Sequence, residues 1–241
     1  MPRPSNTEAR RAQITEALIQ VMAREGYSGA SIAQIARAAD LAPGLVHYHF
    51  ESKDAILHAA IESVTADGLA RVAELAADDA AGAPSRVARF IDIHVGMGAS
   101  ADPERLACWI LFTGEALRRP ELAEKIAAVF DRLVDALERI LVVGAERWEL
   151  SGERTRAAAV ALVAAIQGYY VMAAIDRSLV PLGSAAPSLR AMAQGLLGVD
   201  LPELPETSSG TRDTKAKGRT RSARAASVRG HVRPRGRGRS K

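Results

Sequence analysis

Apolar residues recur at spacings of three and four along most of the first 200 residues, which is the period of an amphipathic α-helix. The first such stripe predicts a helix from about Thr7 to Arg24, ended by Gly26. Its apolar residues are Ile14, Ala17, Leu18, Val21 and Met22. Runs of β-branched residues bounded by turn residues, which would indicate strands, are missing. The pattern predicts an all-α fold.

Two short helices and a long one are predicted next. Ser31 and Gln34 form the sequence of a capping box, in which Ser31 is the N-cap of a second helix. After a tight turn, Pro43 suits the first position of a short third helix, because its missing N–H would have no partner there. Ser52 can cap a fourth helix that runs to about Ala76.

The rest of the folded part is predicted to contain further helices, including a long one after Pro120 and a last one from about Pro187 to Leu197. Residues 153–178 are apolar nearly all round, as in a helix packed between its own core and a partner subunit. The stretch Ala157–Ile175 has the length of a membrane span. Its many alanines and the charges at both ends instead indicate a buried helix of a soluble protein, so no membrane is expected.

Charge divides the chain into a folded part and a tail. Residues 206–241 hold 12 of the 32 Lys and Arg residues and 2 of the 28 Asp and Glu residues, so this segment is about +10 while residues 1–205 are about −6. From Pro202 onward no apolar face can be drawn, so residues 203–241 should be disordered. The predicted domains are 7–54 (helix-turn-helix), 55–202 (regulation and dimerisation) and 203–241 (a basic tail). The tail either adds non-specific DNA affinity or is a solvated extension.

Residues 31–50 contain the chemistry of DNA binding. In a helix-turn-helix the first helix braces the second, whose N-terminal end enters the major groove. Gly44 would let the backbone approach DNA closely. Tyr48 and His49 supply hydroxyl and imidazole donors, and Lys53 places a cation at the start of the next helix. These features predict double-stranded DNA as a partner.

The same segment resembles the TetR family of bacterial repressors over about residues 8–65. The resemblance rests on Ile35-Ala36, on the string Gly44–Phe50 and on the string Ser52–Leu57. It implies nine helices, a homodimer formed through the last two helices, and a ligand cavity in the larger domain. It also implies that Tyr48 and Lys53 contact phosphates, that residues 42–47 face bases and that Phe50 packs in the core. The candidate DNA-binding residues are Ser31, Ala42, Pro43, Gly44, Leu45, His47, Tyr48, His49 and Lys53.

Three residues depart from the family pattern. Ala42 replaces the usual Ser or Thr N-cap, a loss that typically costs about 0.5–2 kcal/mol. Asp40 stands where glycine is common, and Asp tolerates a left-handed turn better than most residues. His47 stands where Tyr is frequent, so the family's base preference cannot be carried over to this chain.

The candidate effector site lies in the second domain. Apolar and aromatic residues with a few polar groups are typical of ligand cavities, and here they are His94, Met97, Trp109, Phe112, Gln167 and Tyr170. Alternatives stay open: His94 as a core histidine bonded to a backbone carbonyl, and Trp109 and Phe112 as simple core packing. Only one of Tyr169 and Tyr170 is expected to line the cavity. The segments Trp109–Phe112 and Gln167–Tyr170 resemble the branch of choline-responsive repressors of betaine synthesis.

Several function classes are disfavoured. The sequence has no phosphate-binding glycine loop and no nucleophile elbow, and Cys108 has no obvious base, so the chain is not expected to be an enzyme. His47, His49 and His58 are the nearest approach to a metal cluster, but two of them belong to the DNA-binding string. No metal or cofactor is expected. The single cysteine and the absence of an apolar signal segment predict a cytoplasmic protein. The function hypotheses are a ligand-released dimeric repressor and a nucleoid-type binder dominated by the tail.

Overall fold

The structure is a computed structural model that describes residues 6–78, 80–95, 103–148, 151–181 and 183–203. In these ranges all regular structure is α-helical, which confirms the predicted fold class. The helices are α1 (Asn6–Gly29), α2 (Ile32–Ala38), α3 (Pro43–His49), α4 (Lys53–Ala77), α5 (Ala83–Val95), α6 (Pro103–Ala116), α7 (Pro120–Trp148), α8 (Gly152–Ile175) and α9 (Ala185–Leu197). The tail was predicted to be disordered. Its residues from 204 onward lie outside the described ranges.

Most of the predicted helix ends in the first 80 residues agree with the structure. The Ser31 hydroxyl accepts from the Gln34 amide and the Gln34 side chain accepts from the Ser31 amide, which completes the capping box. The Ser52 hydroxyl accepts from the amide of Ala55, and no side chain caps α3. Gly26 breaks the helical path of α1 with φ 71°, although one more helical turn follows it to Gly29. The prediction that α1 stops near Arg24 was therefore short by this turn.

The turn between α2 and α3 depends on Asp40. Among the described residues it is the one non-glycine residue with a positive φ, at 53°. A left-handed residue costs an L-amino acid free energy, and Asp is among those that tolerate it best. The Gln13 side chain donates to the Ala39 carbonyl (2.6 Å), which fixes the end of α2. The sequence thus directs the chain sharply from α2 into α3.

The helices up to α9 pack around one continuous apolar core. Helix α6 has a central place, because it packs against α1, α4, α7 and α8. Helix α7 packs most extensively on α8, and α4 lies along α7. The predicted boundary between residues 7–54 and 55–202 stays a prediction, since the described helices form one compact unit.

Candidate functional site

The α3 surface brings together most of the predicted DNA-binding residues. Val46 and Phe50 are buried, and they anchor α3 to the core beneath it. The intervening side chains face outward, and Tyr48 keeps 79% of its surface exposed. Pro43, Gly44, Leu45 and His47 are also exposed, as is Ala42 at the N-cap. A short helix held by its apolar side and bare on the other can enter a DNA groove.

The end of α3 is fixed by a residue that sequence reasoning missed. The Arg11 guanidinium donates to the His49 carbonyl and lies 4.0 Å from the centre of the Phe50 ring. Tyr48 and His49 meet edge to face with ring centres 5.1 Å apart. Arg11 is exposed on α1 next to Arg10, so this surface carries cations beyond Arg37 of α2. In the sequence, the pair Arg10-Arg11 just before the first apolar stripe could have indicated this cationic surface.

Lys53 is tied to the protein itself. Its ammonium donates to the carbonyls of Tyr27 (2.9 Å) and Ala30 (2.8 Å) and lies 4.1 Å from the centre of the Tyr27 ring. An ammonium has three N–H donors, so one remains for a phosphate. Lys53 therefore joins the end of α1 to the start of α4, a role that the sequence did not reveal.

Ser31 is exposed at the start of α2, with its hydroxyl in the capping box. The hydroxyl oxygen accepts from the Gln34 amide (3.2 Å), and the O–H donates to the Gln34 side-chain carbonyl (2.6 Å). Gln34 in turn donates to the Glu25 carboxylate. One lone pair of the Ser31 oxygen remains available at the surface.

A second candidate site is a cavity of about 70 Å³ beside α5, α6 and α8. His94, Tyr169 and Tyr170 line it together with Leu106 and Arg177. The Tyr170 hydroxyl donates to the His94 carbonyl (2.8 Å), so the two predicted residues do meet. The expectation that only one of Tyr169 and Tyr170 lines the cavity was wrong, because both do. Adjacent helical positions differ by about 100° in direction, and the cavity wall spans that angle.

His94 presents an uncharged imidazole to this cavity. Its Nδ1 lies 2.9 Å from the Phe90 carbonyl, which assigns the proton to Nδ1 and leaves a lone pair on Nε2. Burial lowers the pKa of His94, and the positive charge of Arg71 lowers it further. The Phe90 ring packs on the imidazole with centres 4.6 Å apart. Burial raises the pKa of the Tyr170 phenol, so His94 and Tyr170 are both neutral near pH 7.

The other predicted effector residues lie away from the cavity lining. The Trp109 indole N–H donates to the Gln167 side-chain carbonyl (2.6 Å), and the Trp109 ring meets Phe130 edge to face at 5.8 Å. Phe112 is fully buried in the core. Met97 lies outside the described residues. Leu106 and Arg177 were missed, because neither stands in an aromatic segment of the sequence.

Across the described ranges, no group of three or more His, Cys, Asp or Glu side chains could hold a metal ion. Helix α8 is long and apolar enough to cross a membrane by length and composition, a property that core helices of soluble proteins share.

Comparison with known proteins gives two family matches. Residues 14–60 match the model for bacterial regulatory proteins of the tetR family, and residues 97–198 match the model for the C-terminal part of BetI-type transcriptional repressors. The HTH-type transcriptional regulator BetI of Rhizobium meliloti strain 1021 is 32% identical over 134 residues, which are 55% of this chain and 64% of that protein. The chain thus spans just under two thirds of this relative's length.

Solved structures share the fold. A transcriptional regulator from Pseudomonas aeruginosa PAO1 aligns with a TM-score of 0.70 at 22% identity, covering 79% of this chain and 91% of the other. A transcriptional regulator from Saccharomonospora viridis in complex with choline aligns with a TM-score of 0.64 at 23% identity, covering 83% of this chain and 100% of the other. At these identities the likeness extends to the fold alone.

Proposed function

Because the chain belongs to the TetR family of bacterial regulatory proteins, we propose that it is a cytoplasmic, dimeric transcriptional repressor that binds a palindromic DNA operator and is released by a small molecule. The observation that carries this proposal is the α3 surface, where exposed polar and small residues stand on a buried apolar base. A helix that only packed in the core would not keep these residues exposed. Relatives and family models alike are regulators rather than enzymes.

A dimer is supported by the outer surface of α8 and α9. On α8 the exposed residues Val160, Ala164, Gly168, Val171 and Ile175 form a stripe at spacings of four, four, three and four. On α9 Met192 and Leu196 are exposed at a spacing of four. An apolar stripe of this size on a soluble protein is typical of an interface, and the small residues permit close helix approach. A second copy of this chain would place two α3 helices on one DNA molecule.

The cavity supports the proposal that a small effector binds here, and its lining indicates the charge of that effector. Among the described residues, its lining includes the cationic side chain of Arg177 and no carboxylate. A positive charge at the wall favours an anionic group and opposes an ammonium ion. Trp109, the aromatic residue best suited to a cation cage, contacts Gln167 and Phe130 instead. We therefore propose an effector with a carboxylate or similar anionic group, and not choline, which occupies the Saccharomonospora viridis regulator.

Operator selection tests the central proposal. The full-length protein is used to select duplexes from random DNA, and the selected site is then footprinted. A discrete palindromic footprint is expected, and uniform coverage without a selected sequence would contradict the proposal. The selected operator then allows effector tests, in which choline chloride and sodium salts of short carboxylic acids are compared for release of the DNA. Release by choline alone would contradict the assignment of an anionic effector.

The nucleoid-type alternative is not favoured. Both matched family models describe regulators, and the sequence features of the α3 surface are independent of the basic tail. The tail can add affinity for any DNA without providing selectivity.

A further inference from the structure

Arg119 connects the segment between α6 and α7 to the start of α4. One guanidinium nitrogen donates to the Asp54 carboxylate at 2.5 Å. The guanidinium carbon lies 4.5 Å from the centre of the Tyr27 ring, near the end of α1. Asp54 is in the first turn of α4, directly after Lys53. A single side chain from the regulatory part therefore contacts two elements beside the DNA-binding surface.

Tyr27 makes this contact well defined. Its side chain is almost fully buried, and its hydroxyl donates to the same Asp54 oxygen at 2.6 Å. The hydrogen bond from Tyr27 lowers the pKa of Asp54, and Arg119 lowers it further, so the carboxylate is charged near pH 7. Burial, aided by the hydrogen bond to Asp54, raises the pKa of Tyr27 to about 12, so its phenol keeps the proton. Near pH 7 the cluster of Tyr27, Asp54 and Arg119 is thus a fixed arrangement of one neutral and two charged groups.

The other end of α6 is attached to the same elements. Arg105 donates to the Glu16 carboxylate of α1 (3.1 Å) and to the Ser63 carbonyl of α4 (2.5 Å). The Cys108 thiol donates to the Ile19 carbonyl of α1 (3.1 Å). Arg119 thus adds a contact after the end of α6 to those of Arg105 and Cys108 near its start, and its loss would leave the end of α1 and the first turn of α4 less firmly held.

We propose that Arg119 is a positioning residue for operator binding, and that its contacts with Asp54 and Tyr27 set the angle at which α1–α3 project from the regulatory helices. This inference rests on the proposed dimeric repressor. In a dimer the angle determines the distance between the two α3 helices, and helix-turn-helix dimers need half-sites about one helical turn apart. A fixed angle therefore selects one half-site spacing.

We expect the ion pair of Arg119 and Asp54 to affect the position of α1–α3 more than the free energy of unfolding. The Asp54 side chain is 59% exposed and that of Arg119 is 30% exposed. Exposed pairs contribute little to the free energy of unfolding, because water screens the charges and ordering both side chains costs entropy. A role confined to stability would thus be small, whereas a change of angle would move α3 itself.

The experiment measures how the full-length protein tolerates altered half-site spacing. Affinities are determined for the selected operator and for versions with one base pair added or removed at its centre. The wild type should lose on the order of tenfold in affinity for the altered sites, because either protein or DNA must deform. Arg119→Ala should bind the selected operator more weakly and lose most of this discrimination, with little change in melting temperature.

Three further variants make the result specific. Arg118→Ala removes the same charge from the neighbouring exposed position and should behave as the wild type. Arg119→Lys keeps the cation and should restore part of the discrimination. Asp54→Asn keeps an oxygen for the Tyr27 hydroxyl while removing the charge, and it decides the question if Arg119→Ala does not fold. Weaker binding at all spacings by one common factor, in both Arg119→Ala and Asp54→Asn, would overturn the positioning role. Failure of the wild type to select any palindromic site would instead overturn the proposed function.

Discussion

At the scale of single residues, His47 and Tyr48 are neighbours on α3 with different expected roles. Tyr48 is 79% exposed, and its hydroxyl can reach a phosphate oxygen, which carries no sequence information. Tyr48→Phe should weaken binding to operator and random duplexes by the same factor, about two- to tenfold for one hydrogen bond. Fluorescence anisotropy with both duplexes measures this. A loss confined to the operator would show that Tyr48 contacts a base.

His47 is expected to contact base edges, so its replacement should change which bases are preferred. His47→Ala should give a different selected sequence at one or two positions of each half-site, with affinity for random DNA nearly unchanged. Repeating the selection from random duplexes with the variant measures the change. An unaltered selected sequence would remove His47 from the base-contacting set.

His94 should make stability depend on pH. Burial lowers its pKa below the ordinary 6.5 of an accessible histidine. In the unfolded chain His94 takes up a proton below about pH 6.5, while the folded protein resists it until the lowered pKa is reached. The free energy of unfolding should therefore decrease as pH falls through this window, by up to about 1.4 kcal/mol per pH unit.

Urea unfolding at several pH values between about 5 and 8 measures this dependence. His94→Gln should reduce the slope below pH 6.5, since glutamine cannot titrate. His47→Gln removes an exposed imidazole and is the matched control. A wild-type slope in His94→Gln would show that other groups cause the pH dependence.

At the scale of secondary structure, helix ends marked by local signals could be predicted, and contacts between distant segments could not. Ser31 and Ser52 determine their helix starts through hydrogen bonds to residues three positions further on, so the sequence displays both partners. Pro43 favours its helix start through its own ring. The partners of Lys53 lie 26 and 23 residues away, and Arg119 contacts Asp54 of α4 and Tyr27 of α1 besides its local partner Glu115. Only the packed structure brings these groups together.

The lining of the effector cavity, too, could be predicted only in part from the sequence. His94 and Tyr170 were predicted because they interrupt apolar helices, and that signal is local. Trp109 and Phe112 interrupt their surroundings in the same way, yet they pack in the core. Leu106 and Arg177 line the cavity because of how α6 and the end of α8 meet, which periodicity does not specify. Helix α6 contributes Leu106 to the cavity and Arg105 to α1 and α4, so we expect effector binding to act on DNA affinity through α6.

The outer stripe of α8 leads to a prediction about assembly. Ala164 is exposed at the centre of that stripe. Ala164→Arg should place an unpaired charge in an apolar interface, where burial costs several kcal/mol, and should therefore yield monomers or aggregates. Sedimentation velocity measures the state of the protein. Ala128→Arg, at an exposed position of α7, is the control and should leave the dimer intact. A dimeric Ala164→Arg would place the interface elsewhere.

At the scale of the whole molecule, charge is concentrated at one end of the chain. Residues 1–205 carry about −6 and residues 206–241 about +10, so we expect long-range attraction to DNA to come from the basic tail. Each phosphate neutralised adds roughly 0.9 to the slope of log affinity against log salt. Truncation after Pro205 should reduce that slope by several units and weaken binding to random DNA at low salt. The preferred operator should stay the same.

Affinity titrations at several salt concentrations, with the full chain and the truncated chain, measure the tail's contribution. The ratio of operator to random affinity should rise or stay level, since the lost contacts are to phosphates. An identical salt slope for the two proteins would show that the tail is a solvated extension.

The apolar stripe on α8 also implies that the protein's resistance to heat depends on how much of it is present. A single chain leaves Val160, Val171 and Ile175 exposed to water, and the proposed dimer would cover them. For such a protein, folding and pairing share one equilibrium, so dilution favours the unfolded chain. The melting temperature should rise with protein concentration. A cell that makes few copies of the protein would hold it nearer to unfolding than one that makes many, so the stability of each copy would depend on how many are present.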